Sequence, residues 1–162
     1  MTPPTGNPQN GDNFFFEALA YLRGVGKRRD YVKALDLLRT ATELGHDSAA
    51  SNLAVMYRRG LGCIQDNNLA AHYFGMAAEK GNAIAQFNLG NMYYHGWEGE
   101  PADYQKAFRW YSRAAERGHA ASICNLACMF DDGRGVQRDA AMAARLFRTA
   151  AGEWLRSLIK RA

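Results

Sequence analysis

The sequence is poor in cysteine and proline, and it has no long apolar run. It contains three cysteines and four prolines among 162 residues. An odd number of cysteines does not suit a disulfide framework, and Cys124 and Cys128 do not have the C-x-x-C spacing of a zinc ribbon. No apolar stretch approaches the length of about eighteen residues that a transmembrane helix needs. We therefore expect no membrane span and no disulfide.

The start of the chain lacks the basic residues and the apolar stretch of a secretory signal. We interpret residues 1–12 as a flexible polar N-terminal leader. Together with the few cysteines, this favours a cytoplasmic, reducing location. The net charge of +4 is modest, so charge alone does not indicate a nucleic-acid-binding protein.

Motifs for catalysis and for metal binding are also missing. The four histidines are dispersed along the chain, at His46, His72, His95 and His119. Gly-x-Gly pairs follow helical patterns rather than strands, which does not suit a dinucleotide-binding loop. No Ser–His–Asp set is suggested. We predict a protein that is not an enzyme and has no cofactor and no metal site.

What the sequence does contain is a repeat of about 36 residues. It is marked by aspartates at Asp30, Asp66, Asp103 and Asp139, which are 36, 37 and 36 residues apart. Periods in this range are typical of arrays of helix pairs. The longer interval has a local cause, because Trp97 and Glu98 stand where the other repeats place a single residue between two glycines.

Each repeat contains two helical patterns, which we name A and B. The A helices have an apolar stripe at 3.6-residue spacing and are predicted to end at Gly60, Gly96 and Gly133, each in a left-handed conformation. The recurring aspartate is predicted to be the N-cap of each B helix. The B helices combine aromatic residues with alanines. Their predicted apolar positions are Ala70, Tyr73, Phe74, Ala77, Ala78, Ala107, Trp110, Tyr111, Ala114, Ala115, Ala143, Leu146, Phe147, Ala150 and Ala151.

This pattern, most complete over residues 88–118, resembles the Sel-1-like repeat, a relative of the tetratricopeptide repeat. The resemblance covers residues 13–151 as four repeats, at about 13–46, 47–82, 83–119 and 120–151, with residues 152–162 as a C-terminal capping helix extension. Glu17 and Trp154 depart from the pattern. The resemblance implies an all-α fold, a right-handed α/α superhelix of helix-turn-helix repeats. It also implies a scaffold or adaptor that binds proteins or peptides.

In such arrays the A helices line a concave groove. The groove-facing stripe is predicted to bind the partner through Ser48, Asn52, Val55, Arg59, Ile84, Asn88, Asn91, His95, Asn125, Cys128 and Asp132. Side-chain amides both donate and accept hydrogen bonds, so the recurring asparagine could form a ladder along a peptide backbone. The alternative is that this asparagine stabilises the helix pair or caps a local backbone group.

The sequence leaves further alternatives for the function open. One is a regulatory or immunity-type protein that covers the active surface of a partner. Another is a small nucleic-acid-binding protein. The latter would use basic residues at Lys27, Arg28 and Arg29 and near the C-terminus, at Arg145, Arg148, Arg156, Lys160 and Arg161.

Apolar residues are concentrated near the two ends of the sequence. They are Phe14, Phe15 and Phe16, and Trp154, Leu155, Leu158 and Ile159. Exposed patches of this kind either cover the terminal repeats, pack on other sequence or join two chains, so self-association through them is one expectation.

Overall fold

The computed structural model describes residues 8–159, and within this range the chain forms eight α-helices. They are α1 (Pro8–Arg23), α2 (Tyr31–Glu43), α3 (Ala49–Arg59), α4 (Asn67–Glu79), α5 (Ala83–His95), α6 (Tyr104–Glu116), α7 (Ala120–Asp132) and α8 (Ala140–Ile159). Odd-numbered helices correspond to the predicted A helices and even-numbered helices to the B helices. The predicted all-α class, with four helix-turn-helix repeats, is confirmed.

The chain divides into two compact units between Lys80 and Gly81. The N-terminal unit contains α1 to α4, and α2 packs against both α1 and α3. The C-terminal unit contains α5 to α8, and α6 packs against both α5 and α7. Each unit therefore consists of two repeats, and in each the B helix of the first repeat lies against the A helix of the second.

Helix α1 begins earlier than the predicted repeat region. Residues 8–12, which we had assigned to the flexible leader, form its first turns. Gly11 is buried there, and a Cβ atom at this position would lie 3.4 Å from the Cβ of Leu44, just after α2. This packing orders the segment. Residues 1–7 lie outside the described part of the chain, as do residues 160–162, and a capping role for the end of α8 stays a prediction.

The recurring aspartate connects the two helices of every repeat. Its carboxylate accepts a hydrogen bond from the backbone N–H three residues later, as predicted for an N-cap; the N···O distances for Asp30, Asp66, Asp103 and Asp139 are 3.0, 2.9, 2.9 and 2.9 Å. Its own backbone N–H donates to the carbonyl of the aromatic residue near the end of the A helix. These acceptors are Tyr21, Tyr57, Tyr93 and Phe130, at 3.2, 3.0, 2.7 and 2.8 Å. One residue thus starts the B helix and holds it to the A helix.

The first glycine of each loop ends the A helix, as predicted, but the predicted left-handed conformation is found at two of the three glycines. Gly60 and Gly133 are left-handed, as expected. Gly96 has a positive φ of 69° but an extended ψ of 175°. The reason is the local insertion, because Trp97 and Glu100 exchange two backbone hydrogen bonds of 2.8 Å and form a small bridge.

In the second and fourth repeats, the second glycine of the loop lies very close to the B helix of the preceding repeat. A Cβ atom at Gly62 would lie 2.5 Å from the carbonyl carbon of Tyr31, in the first turn of α2. A Cβ atom at Gly135 would lie 2.5 Å from the carbonyl carbon of Tyr104, in the first turn of α6. Real side chains do not occupy such space, so only glycine lets the loop of one repeat reach the B helix of the preceding repeat.

Alanines and aromatic residues of the B helices share the core with apolar residues of the A helices. Phe74, Tyr111 and the alanines around them are buried, as predicted. In α8 the prediction was partly wrong, because Phe147 is 43% exposed and Ala151 is also exposed. Tyr111 occupies the equivalent position of α6, where α7 covers the helix, whereas no further A helix packs on α8 within residues 8–159.

Gly90 lies inside α5 where the ring of Tyr111 packs against the helix backbone. A Cβ atom at Gly90 would lie 2.7 Å from Cδ1 of Tyr111. Gly75 lies inside α4, and a Cβ atom there would have no neighbour within 4 Å. These two helical glycines therefore allow a matched comparison, because an added methyl group would clash at Gly90 and meet no neighbour at Gly75.

We predict opposite effects of alanine at these two positions. Gly75→Ala should raise the free energy of unfolding by about 0.5–1 kcal/mol, because alanine has the better helix propensity. Gly90→Ala should lower it by about 1–3 kcal/mol, because the Tyr111 ring must move. Urea denaturation measures both. Stabilisation by Gly90→Ala would contradict the packing described here.

Helices α5 and α7 begin with different capping side chains at equivalent positions. Asn82 Oδ1 accepts a hydrogen bond of 2.9 Å from the N–H of Ala85. His119 Nδ1 accepts one of 3.3 Å from the N–H of Ser122 and lies 2.9 Å from its hydroxyl oxygen. Burial lowers the pKa of His119. Protonation would convert the Nδ1 acceptor into a donor and abolish the cap.

We predict that His119→Asn changes the pH dependence of stability. Because the pKa of His119 is lower in the folded than in the unfolded protein, its contribution is complete above the unfolded value of about 6.5 and is lost as pH falls. Wild type should therefore lose on the order of 1 kcal/mol relative to the variant between neutral pH and pH 5, the usual size of a cap. Chemical denaturation at both pH values measures this difference. Parallel pH profiles would show that His119 does not cap α7.

Candidate functional site

A pocket of about 330 Å³ opens on the C-terminal unit, where α5, α6 and α7 meet. Its lining residues are Phe87, Asn91, Tyr94, His95, Tyr111, Asn125 and Cys128. Four of these, Asn91, His95, Asn125 and Cys128, are among the predicted groove residues. The structure therefore brings together the part of the predicted stripe that spans the third and fourth repeats.

Helical spacing places these side chains on common faces. Phe87, Asn91 and Tyr94 are separated by four and three residues along α5, so they lie one above another on the same side of the helix. Asn125 and Cys128 are three residues apart on α7. Tyr111 reaches the same space from α6.

A polar network joins the three helices at the pocket. The Tyr111 hydroxyl donates a hydrogen bond of 2.6 Å to Asn91 Oδ1, and Asn125 Nδ2 donates one of 3.3 Å to the same oxygen. These two bonds do not use Asn91 Nδ2, which is a donor, or Asn125 Oδ1, which is an acceptor. A donor beside an acceptor is complementary to a peptide group, which carries one of each.

Burial raises the pKa of two groups of the pocket, the Tyr111 phenol and the Cys128 thiol. Tyr111 is 1% exposed, and this burial raises its pKa to about 12, although the neighbouring Asn125 amide opposes the shift. The phenol is therefore a hydrogen-bond donor at neutral pH. Burial, reinforced by the negative charge of Asp132, also raises the pKa of the Cys128 thiol. The thiol is protonated at neutral pH and is a weak nucleophile.

Arg134 holds one wall of the pocket in place. It donates a hydrogen bond of 2.7 Å to the Tyr94 hydroxyl, and its guanidinium lies 5.7 Å from the centre of that ring. Arg134 also forms an ion pair of 3.5 Å with Asp132, a predicted groove residue. Asp132 is thus paired beside the pocket and does not line it.

The recurring asparagines do not share one role in this structure. Asn52 Nδ2 donates to the carbonyl of Ser48 at 2.9 Å, and Asn88 Nδ2 donates to that of Ile84 at 2.8 Å. In both bonds the acceptor is the carbonyl of the residue four positions earlier in the same helix. Asn52 and Asn88 therefore cap local backbone groups, which was the alternative to a peptide-binding ladder. Asn125 instead bonds between helices.

The other predicted groove residues lie outside this pocket. Ser48, Asn52 and Val55 are half-buried and Arg59 is exposed on or beside α3; on α5, Asn88 is half-buried and Ile84 is 59% exposed. In the N-terminal unit the equivalent helices are α1, α2 and α3, where Leu19 takes the position of Asn91 and Leu38 that of Tyr111. The amide and hydroxyl network therefore has no counterpart there.

Sequence reasoning did not assign the aromatic walls of the pocket to the binding stripe. Tyr111 was predicted to be buried in the B-helix core, which is correct, but its hydroxyl also reaches Asn91. Phe87 precedes Asn91 by one helical turn, and this spacing could have identified it.

Metal-binding clusters and membrane-spanning helices are absent from residues 8–159. In this range no three His, Cys, Asp or Glu side chains are arranged to hold a metal ion. The cysteines at positions 63, 124 and 128 are free thiols. No helix in the described part is long and apolar enough to cross a membrane.

Comparison with known proteins identifies the repeats. The family model described as Sel1 repeat matches residues 18–46, 47–82, 83–119 and 120–152. No curated protein matches the sequence significantly.

Solved structures share the fold. A Sel1 repeat protein from Oxalobacter formigenes is 29% identical with a TM-score of 0.82, and the match covers 94% of this chain and 61% of that one. A protective antigen of uropathogenic Escherichia coli with an SLR fold is 34% identical with a TM-score of 0.83, and the match covers 88% of this chain and 30% of that one. This chain thus spans less than two thirds of either protein. The four matched segments account for nearly all of the helical region, and the chain belongs to the Sel1 repeat family.

Proposed function

We propose that this chain is a non-enzymatic protein-interaction module whose C-terminal unit holds an extended peptide segment of a partner protein. Sel1 repeat proteins generally mediate protein–protein interaction. The observation that carries the proposal for this chain is the pocket itself, because its aromatic walls stand beside two amides whose network leaves one donor and one acceptor unused.

The two parts of the pocket would recognise two parts of a peptide. An aliphatic or aromatic side chain enters between Phe87, Tyr94 and Tyr111, where its burial contributes about 1.5–3 kcal/mol. The adjacent peptide group pairs with the Asn91 and Asn125 amides, and each hydrogen bond adds about 0.5–1.5 kcal/mol. Helices and the polar network hold these groups in place before binding, so little entropy is lost.

The same chemistry supports binding rather than catalysis. The Tyr111 phenol is protonated and is already bonded to Asn91 Oδ1. The Cys128 thiol is protonated as well, because its pKa is raised. Neither group is an activated nucleophile at neutral pH.

The proposal is tested by selecting peptides from a random display library on the immobilised chain and measuring their affinity by calorimetry. Cys128→Phe fills the pocket and should weaken the selected peptides at least about tenfold, which is 1.4 kcal/mol. Met76→Phe adds the same ring to an exposed position on α4 and should change nothing. Peptides that bind wild type and Cys128→Phe equally would contradict the proposal.

A second variant separates binding from folding. Asn91→Asp keeps the oxygen that accepts from Tyr111 but replaces the unused donor with an acceptor. We expect a folded protein with an unchanged circular dichroism spectrum and with peptide affinity reduced about tenfold, the effect of an unmade hydrogen bond in a half-buried site. Unchanged affinity would remove the amide pair from the recognition mechanism.

A further inference from the structure

The loop between the two helices of the first repeat is strongly basic, and the equivalent loops are not. Lys27, Arg28 and Arg29 precede Asp30, whereas Cys63, Ile64 and Gln65 precede Asp66 in the second repeat. Both aspartates make the same hydrogen bonds to the helix before them and the helix after them. The fold therefore does not require the basic residues at these positions.

These basic residues line a cleft of about 760 Å³ in the N-terminal unit. Four cations and two aromatic rings surround it, namely Lys27, Arg28, Arg29, Lys33, Tyr21 and Tyr31. Asp30 also lines this cleft, and its equivalent Asp103 lines the corresponding cleft of about 450 Å³ in the C-terminal unit, where the other charged residues are Glu100 and a single cation, Lys106. The same backbone arrangement thus presents opposite charge in the two places.

Two of the four cations are fixed in position. Lys27 Nζ lies 2.6 Å from Glu17 Oε1 and 4.6 Å from the centre of the Tyr21 ring. Lys33 Nζ lies 4.8 Å from the same ring. Glu17 is the residue that replaces the leucine of the repeat pattern. Its departure from the pattern is explained by the ion pair that anchors Lys27.

The two arginines are exposed and carry charge that the structure does not neutralise. Arg28 and Arg29 make no ion pair with any residue of the described range 8–159, and Arg29 lies 6.0 Å from the Tyr31 ring. In the fourth repeat, by contrast, Arg134 pairs with Asp132 at 3.5 Å and Arg138 with Asp131 at 3.9 Å. The arginines of this loop are therefore paired with carboxylates in the fourth repeat, whereas those of the first repeat are not.

Exposed apolar side chains flank the basic cleft. Val25 is 68% exposed and Val32 is 59% exposed. Nucleic acid is held mainly by a stripe of basic residues that follows its backbone, whereas this surface is one loop with the adjoining ends of α1 and α2, and it includes exposed valines as well as arginines. A segment with both carboxylates and apolar side chains complements it better.

We propose that this basic cleft docks an acidic, partly apolar segment of a partner protein. The cleft and the pocket on α5, α6 and α7 are separate sites with separate variants. Failure of one proposal therefore leaves the other in place.

The test uses a fluorescently labelled peptide of six glutamates and two leucines, and measures binding by anisotropy at low salt. Arg28→Gln with Arg29→Gln should weaken binding about tenfold, and raising the salt concentration should weaken wild-type binding, because both act on exposed charges. Arg134→Gln with Arg138→Gln removes the same charge from the fourth repeat and should have little effect. Cys128→Phe should leave binding of this peptide unchanged.

Four outcomes would overturn the proposal. The first is no binding of the peptide at low salt. The second is an equal loss in both arginine pairs, which would indicate net charge rather than a site. The third is tighter binding of an eight-nucleotide oligothymidylate with the same dependence on Arg28 and Arg29. Val25→Ser with Val32→Ser should weaken binding of the peptide and leave binding of the oligothymidylate unchanged. Weaker binding of the oligothymidylate with unchanged binding of the peptide would also contradict a protein partner.

Discussion

The structure depends on how closely the loop of one repeat approaches the B helix of the preceding repeat. At Gly62 and Gly135 the backbone meets the first turn of that helix with no room for a side chain. This approach brings the A helix of one repeat against the B helix of the preceding repeat, and their apolar faces bury each other. A short helix pair cannot bury enough apolar surface alone, so neighbouring repeats supply what each lacks.

Within a repeat, the aspartate keeps the geometry constant while the loop sequence changes. Its two hydrogen bonds recur in all four repeats, including the third, which carries the insertion at Trp97 and Glu98. Because these bonds need only the backbone and one carboxylate, the remaining loop residues are free to vary. The first repeat uses this freedom for a basic cleft. Side chains of α5, α6 and α7 likewise form a pocket without changing how the helices of the repeats are arranged.

The repeat frame could be predicted from sequence because it rests on local rules. Helical periodicity, an N-cap aspartate and a helix-ending glycine each depend on a few neighbouring residues, and they placed the helices correctly. Gly96 differed because the lengthened loop after it folds into a small bridge between Trp97 and Glu100. The helical start at Pro8 was missed because a polar segment gives no periodic signal.

The candidate site was less predictable because its decisive contacts join different helices. The asparagine at position 125 recurs in sequence with Asn52 and Asn88, yet its bond to another helix depends on Asn91, whose place is taken by valine or cysteine in the second and fourth repeats. The Tyr111 hydroxyl distinguishes α6 from α4, where phenylalanine fills the equivalent position. Spacing shows which residues share a face, but it does not show which hydrogen bonds form between neighbours.

The most direct test of tandem stacking compares alanine at three loop glycines that have nearly the same φ, 69° at Gly26, 74° at Gly62 and 70° at Gly135. Backbone strain should cost about 1–2 kcal/mol at each. A Cβ atom at Gly26 meets nothing within 4 Å. Urea denaturation should therefore show that Gly62→Ala and Gly135→Ala lose at least about 2 kcal/mol more than Gly26→Ala, the size of an overpacking penalty. Equal losses at all three positions would contradict the account.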